Sequence, residues 1–321
     1  MKAITYTRYG GPEVLQLSEV EKPHPKDDEV LVKVRAVSVN DWDWGLMHGD
    51  FVNRILNGIR RPKRKILGSD IAGIVEAVGK SVTKFKVGDE VYGDLSGRWG
   101  GFAEYVCAEE KMLEFKPAAL SFIDAAATPQ AAMLAVQGLI DKGKISKGQK
   151  ILINGAGGGV GTFGVQIAKL YDAEVTGVDS GEKQDMMRSM GFDHVIDYRK
   201  EDFTRNGNKY DLILDVKTNR SVWAYTRALT TNGVYVTVGG SMRRLLQTLA
   251  MAPVISAMQK KHFRIVALKT NKDLVYMNGL FEAGKIKAVI DGPYQLHKTP
   301  EAFLEFEKAA HKGKLVISID E

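Results

Sequence analysis

The chain has one cysteine, Cys107, in 321 residues. A disulfide framework and a four-cysteine zinc knuckle are therefore excluded within one chain. The six histidines, at 24, 48, 194, 262, 297 and 311, lie too far apart for local metal-ligand spacing. Long apolar runs are missing too. The most apolar long stretch, LLQTLAMAPVISAM (245–258), is too short to span a bilayer and is interrupted by Pro253. The opening MKAITYTRYGG has no basic region followed by an apolar core, so no secretion signal is visible. A cytoplasmic location without a membrane partner is expected. No internal repeat or low-complexity segment stands out.

Hydrophobic residues make up 44% of the chain and charged residues 26%, a balance that supports a packed core and argues against disorder. The length suggests about two domains. The net charge of +6 leaves a polyanionic partner open, but only RRPKRK (60–65) is dense enough to suggest one. A soluble enzyme with basic loops accounts for it, and nucleic acid is not expected as a partner.

The first third carries strand patterns: EVLVKVRAVSV (29–39), IAGIVEAVG (71–79), DEVYG (89–93) and FAEYVC (102–107). Cys107 alternates with apolar positions there, which predicts a core thiol. From 124 the texture changes: DAAATPQAAMLAVQGLI predicts a helix with Pro129 near its beginning. Strands and helices then alternate: KILIN, AEVTGV, HVID, DLILD, GVYVTV and FRIVAL are separated by helical segments. Such strands, apolar throughout, suit a parallel sheet buried on both faces, and repeated β–α units imply a doubly wound α/β fold. At the end, Thr299 and Pro300 predict the cap and first residue of a helix, followed by a strand, KLVISI, that returns to the first domain.

The strongest site signal is ILINGAGGGVGTFGVQIAK (151–169). Ala156, Gly158 and Gly161 occupy the three spaced positions of a dinucleotide fingerprint, with Gly157, Gly159 and Val160 between them. Small residues let the backbone approach a pyrophosphate, and the following helix aims its free N–H groups at that anion. The loop follows a strand and opens a helix, and Asp179 ends the next strand 18 residues after Gly161. A glycine-rich turn serving only helix–strand packing is the alternative.

LGSDIAGIVEAVGKSVTKFKVGDEVYG (67–93), GGFAEYV (100–106) and NGAGGGVGTFGVQIAK (154–169) resemble the medium-chain dehydrogenase/reductases. NDWDWGLMHGD (40–50), VIDYRKEDF (195–203) and YDLILD (210–215) resemble their zinc-independent quinone oxidoreductase branch. The resemblance implies a Rossmann parallel sheet over 124–268, a GroES-like β-rich catalytic domain over 1–123 and 269–321, and a site in the cleft between them. It also implies a reductase that passes hydride to a quinone or an α,β-unsaturated carbonyl. Zinc-dependent relatives carry Cys where this chain has Asn40 and His where it has Ser69, and neither substitute suits tetrahedral zinc. No metal is expected. The substrate is expected to be small, planar and already electrophilic.

The same resemblance places Asn40 beside the nicotinamide, where its amide can meet a ribose hydroxyl or a substrate oxygen. Fixing a turn is the alternative. Asp43 corresponds to an acid that braces this loop, and bracing is preferred to proton transfer. His48 stands where relatives carry Arg and could deliver a proton near neutral pH; an exposed loop histidine is the alternative. Trp42, Trp44 and Trp99 could wall a planar pocket or simply pack. Relatives contact the cofactor at the positions of Thr128, Gln130, Tyr198, Val216 and Lys314, although LDVKTN lacks their usual glycine. Gly239, Gly240 and Ser241 follow the fifth strand, at the sheet edge where ligands bind.

The stretch VTGVDSGEK (175–183) pulls two ways on cofactor choice. Asp179 can accept from both ribose hydroxyls and would repel a 2′-phosphate, by about 1 kcal/mol per charge pair in water and about 4 at an effective dielectric of 20. Glu182 adds a second acid. Ser180 and Lys183, with Arg199 and Lys200, favour the phosphate. The residues tilt toward NADH, with NADPH or dual use left open. Competing functions are a zinc-free alcohol or aldehyde dehydrogenase and a nucleotide-regulated binding protein, for RNA or as a scaffold. The basic-ended segment 242–261 suggests a lid or dimer contact before a membrane surface, and monomer and homodimer both stay open.

Overall fold

The structure is a computed structural model that describes residues 1–319. The chain forms two compact units, Met1–Gln130 with the chain from Thr270 onward, and Ala131–Lys269.

The first unit opens with β1 (Lys2–Thr5), paired antiparallel with β2 (Gln16–Glu19). Its hub is β3 (Glu29–Ser38), whose valines are buried on both sides of the strand. Helices α1 (Asp41–His48) and α2 (Phe51–Asn57) follow, then β4 (Asp70–Val78), β5 (Glu90–Asp94), β6 (Tyr105–Glu109) and β7 (Glu114–Phe115). Cys107 is half-exposed rather than in the core. Val106 and Ala108 take the inward positions of β6, so strand alternation turns the thiol outward. What burial it has raises its pKa to about 11, which leaves it protonated and unreactive at neutral pH.

The helix expected from 124 is interrupted. Helix α3 (Phe122–Ala126) stops before Thr128, and α4 (Pro129–Val136) restarts at the proline. Proline disfavours a helical residue before it and lacks the N–H that would continue the ladder. The chain then loosens into a π-helical turn, Gln137–Lys142.

The second unit is a six-stranded parallel sheet. Along the chain come β8 (Lys150–Asn154), α5 (Gly159–Lys169), β9 (Glu174–Asp179), α6 (Gln184–Ser189), β10 (His194–Asp197), β11 (Tyr210–Asp215), α7 (Val222–Ala228), β12 (Leu229–Thr237), α8 (Met242–Gln259) and β13 (His262–Ile265). Strand order is β10-β9-β8-β11-β12-β13. The order reverses between β8 and β11, the switch point of a doubly wound sheet. Pro253 does not end α8, which runs on through it. No helix among the described residues is long and apolar enough to cross a membrane.

The chain then returns to the first unit with α9 (Leu274–Glu282), β14 (Ile290–Gln295), α10 (Thr299–Glu307) and β15 (Lys314–Ser318). Helix α10 starts one residue earlier than expected. Lys298 is its cap, and the Thr299 hydroxyl donates to Leu296 O at 2.7 Å instead of capping. Strand β15 inserts between β14 and β3, with Val316 opposite Ser38.

Candidate active site

In the second unit, the loop after β8 sits at the switch point. Gly155 and Ala156 donate to Val178 O at 2.9 and 3.1 Å, which ties the loop to the end of β9. Gly158 caps α5, and Gly159, Val160 and Gly161 form its first turn. A Cβ at Gly161 would lie 2.4 Å from Ala156 O and 2.5 Å from Ala156 Cα, so this helix–loop approach requires glycine. A Cβ at Gly158 would meet only Gly155 O, at 3.8 Å. That open side is where a pyrophosphate can approach backbone.

Asp179 turns toward the loop. Its Oδ2 accepts from Gly157 N–H at 2.8 Å, its Oδ1 from Ser180 N–H at 2.9 Å, and Lys183 Nζ lies 3.4 Å away. Asp179, Ser180 and Lys183 are all buried. Glu182 pairs on the surface with Arg199 at 2.6 Å. Hydrogen bonds from its own N–H, from Arg199 and from Ser180 hold the Glu182 carboxyl down to about 2. Tyr198 is about half exposed just past β10, and the Arg199 guanidinium lies 5.7 Å from its ring centre.

Val216 follows β11 and donates to Asn154 O at 2.9 Å. Asp215, which sequence reasoning passed over, is the anchor at this point. Its Oδ1 accepts from Asn154 Nδ2, Lys217 N–H and Thr218 N–H, and its Oδ2 from the Tyr235 hydroxyl at 2.7 Å. Thr218, in the stretch LDVKTN that lacks the relatives' usual glycine, takes a left-handed φ of 44°. Its hydroxyl bonds Thr237 and Gly239 O, which offsets the strain. Gly239 and Gly240 follow, and Ser241 caps α8. The acid at the end of YDLILD was the available sequence signal.

In the first unit, a second group of residues converges on the end of β15. Lys314 is 7% exposed; its ammonium donates to Val39 O at 3.0 Å and to Asn40 Oδ1, and lies 3.7 Å from Asp70 Oδ2. Asn40 Nδ2 donates to Ser69 Oγ at 3.1 Å, so its amide orientation is fixed from both ends. Asp43 is fully buried and accepts from Gly68 N–H at 2.9 Å and Asn40 N–H at 3.1 Å. It braces the turn. Asp70 faces Asp94 across β4 and β5, and its Oδ2 also accepts from Gln130 N–H at 3.1 Å. Asp70 Oδ1, Asp94 Oδ2 and Gln130 Nε2 are buried without a hydrogen-bond partner among the described residues. Thr128 is buried nearby in sequence, its hydroxyl on Asp124 O. Sequence reasoning named Lys314 only through the resemblance. The burial of three carboxylates around one ammonium is a tertiary fact.

His48 lies at the other end of α1. It stacks on Trp44 with ring centres 4.0 Å apart, and its Nε2 is 3.7 Å from Glu307 Oε1. The structure thus gives it a carboxylate partner and does not bring it to the Lys314 cluster. Trp42 is exposed, and Trp99 is buried under Arg64.

Burial pushes the Asp43 carboxyl up to about 7, against the opposing pull of the Gly68 and Asn40 N–H groups. Burial likewise raises Asp70, with Lys314 pulling it back, and lowers Lys314, with Asp70 pulling it up. A carboxyl held above its unfolded value of 3.8 binds its proton more tightly in the native state. Its contribution is complete below that value and is lost as pH rises through about 7. At about 1.4 kcal/mol per unit the change is on the order of 4 kcal/mol. Asp43→Asn is therefore expected to flatten the fall in stability between about pH 4 and pH 7 seen in urea unfolding. An unchanged slope would contradict this assignment.

Comparison with known proteins agrees with this architecture. Residues 26–118 match the family described as Alcohol dehydrogenase GroES-like domain, and residues 190–317 that described as Zinc-binding dehydrogenase. The chain is 37% identical to 2-methylene-furan-3-one reductase of Solanum lycopersicum over 99% of its own length and 79% of the relative's. It is 34% identical, with the same coverages, to the NADPH-dependent alkenal/one oxidoreductase, chloroplastic, of Arabidopsis thaliana. Among solved structures, the quinone oxidoreductase from Coxiella burnetii superposes with a TM-score of 0.86 at 27% identity, covering 100% of this chain and 99% of that one. The chain belongs to the medium-chain dehydrogenase/reductase superfamily, among its quinone and alkenal oxidoreductases.

Proposed function

We propose that the protein is a zinc-independent, NADPH-preferring reductase of quinones or α,β-unsaturated carbonyls. The observation that carries the reading is the Lys314 ammonium fixed on Asn40 Oδ1 beside Asp70, a built cation where metal-dependent relatives hold zinc. Zinc does not fit these donors. Asn40 presents its oxygen to Lys314 and its nitrogen to Ser69, and a dication beside a buried ammonium is opposed by charge.

A nicotinamide dinucleotide fits the second unit: the Gly157–Gly161 backbone and the start of α5 suit its pyrophosphate, and the end of β9 its ribose. When bound it supplies the hydride chemistry, and the protein supplies orientation and electrostatics. Asn40 is assigned the donor role. One N–H is committed to Ser69, and the amide also hydrogen-bonds the Asp70 carboxyl, a bond that a ribose hydroxyl or a substrate oxygen gaining negative charge would have to displace. Lys314 acts through Asn40, polarising the amide from its oxygen end. Asp43 holds the Asn40 backbone in place. NADPH or NADH oxidation, followed with an alkenal and with a quinone in the presence of a chelator, tests the reading. Nucleotide binding without turnover of either substrate sinks it, and sustained alcohol oxidation favours the dehydrogenase alternative.

The sequence tilted toward NADH, and the partners of Asp179 support the opposite preference. Its charge is already met by Lys183 and two N–H groups. The Arg199–Glu182 pair is more than half exposed on both sides. Such solvent-screened pairs contribute little, so Arg199 is readily released to a 2′-phosphate. Arg199→Ala is expected to weaken NADPH binding about tenfold, or about 1.4 kcal/mol, and to leave NADH within about twofold. Parallel fluorescence titrations read this out; equal losses for the two nucleotides would return the preference to NADH.

A further inference from the structure

Helix α2 reverses the usual arrangement of a surface helix, which turns its apolar stripe to the core. Its buried residues are Asn53 and Asn57, four apart and so on one face. Phe51, Val52, Ile55 and Leu56 are 80%, 42%, 59% and 54% exposed, and Ile59 just beyond is 72% exposed. The orientation is built in. Asn57 Nδ2 donates to the Tyr6 hydroxyl at 2.7 Å, and its Oδ1 accepts from Arg64 N–H at 3.0 Å. Asp50 caps the helix through Asn53 N–H at 2.9 Å, and the Tyr9 hydroxyl holds Gly58 O at 2.5 Å. Turning the helix over would bury aliphatic groups but strand these polar ones, each at a cost.

Beside the stripe lies a segment whose net charge nearly equals that of the whole chain. Residues 50–66 carry six cations and one carboxylate, a net of +5 against +6 for the whole protein. Arg54, Arg60, Arg61, Lys63 and Lys65 are exposed, and none has a carboxylate partner among the described residues. Arg64 is turned aside, to Gly97 O and the face of Trp99, and Arg54 donates to Gly49 O and lies over the Tyr9 ring.

We propose that this face docks on an anionic lipid surface. Phe51, Ile55, Leu56 and Ile59 enter the interfacial region while the flanking cations meet headgroup phosphates. Charge chooses the occupant. A second copy of the chain meeting this face symmetrically would set +5 against +5. A nucleic acid would use the cations but leave the aliphatic stripe in water. An anionic bilayer takes both, with apolar insertion and a basic cluster as the two signals that stable peripheral binding requires. Each cation near such a surface adds about fivefold in affinity, screened by salt. The sequence expectation of no membrane partner is revised on this ground, because composition does not reveal which face of α2 is buried.

Co-sedimentation of the full chain with phosphatidylcholine vesicles, with and without phosphatidylserine, tests the proposal. Binding is expected to be at least about tenfold stronger with the anionic lipid and to fall with salt. The double change Arg61→Glu, Lys63→Glu should remove that gain, and Ile55→Ser with Ile59→Ser should weaken binding at least about fivefold. Both pairs are exposed, so thermal unfolding should not move. Absence of anionic preference overturns the proposal. So does binding indifferent to the isoleucine changes, which marks a purely polyanionic site, or conversion of a dimer to monomer by them, which marks a self-contact.

Discussion

Gly161→Ala is expected to lower nucleotide affinity at least about tenfold and to lower stability by about 1–3 kcal/mol. The added methyl would sit 2.4–2.5 Å from Ala156 O, Ala156 Cα and Gly155 O. All three are backbone atoms, so no side chain can rotate away. Either α5 tilts off the sheet or the loop retreats, and the loop is what a pyrophosphate would touch. Gly158→Ala separates the two effects. Its methyl meets nothing closer than 3.8 Å, and φ −91°, ψ 179° is open to alanine. It is expected to fold normally and still bind nucleotide poorly, since the methyl occupies the anion's approach. Titration together with thermal unfolding of both variants checks this. Full-affinity binding by Gly161→Ala would mean that the loop does not hold the cofactor.

Lys314→Met is expected to cost about 3–5 kcal/mol, the usual penalty for leaving a buried charge unpaired. The carboxylates of Asp43, Asp70 and Asp94 are all buried, and Lys314 favours the charged form of each. Without it their pKa values rise further above the unfolded value. The loss should therefore be largest above neutral pH and shrink in acid, where the carboxyls take up protons. Denaturant unfolding at both extremes reads this out. Turnover is expected to fall at least about tenfold even where folding survives, because Asn40 loses the partner that fixes its oxygen. A pH-independent loss would show that Lys314 serves packing alone.

The parallel sheet was legible because its signals are local. KILIN and HVID coincide with β8 and β10 residue for residue, and the glycine loop falls between strand and helix as its spacing requires. The site in the first unit was less legible. Lys314 meets Asn40, Asp70 and Asp94 only because β15 pairs with β3, a contact between residues nearly the whole chain apart. Cys107 was misplaced because alternation gives two faces without saying which is inward. The same ambiguity hid α2, whose stripe fits a core-facing helix until the buried asparagines are seen. Cofactor preference is hard to read from sequence for another reason: the sequence lists charges, but not which of them already neutralise each other.

The position of β15 also has a consequence in time. Residues 131–269 are contiguous and can leave the ribosome and fold as a block. The first unit cannot follow suit, since Ser38 waits for Val316 to be translated. At about 5–20 residues per second that interval is on the order of tens of seconds, with the Ala36–Ser38 end of one β3 edge unpaired throughout, beyond the part that β6 covers. The early chain is thus the part most dependent on chaperones, and a nonsense codon near the end should be far more damaging than the few residues it removes.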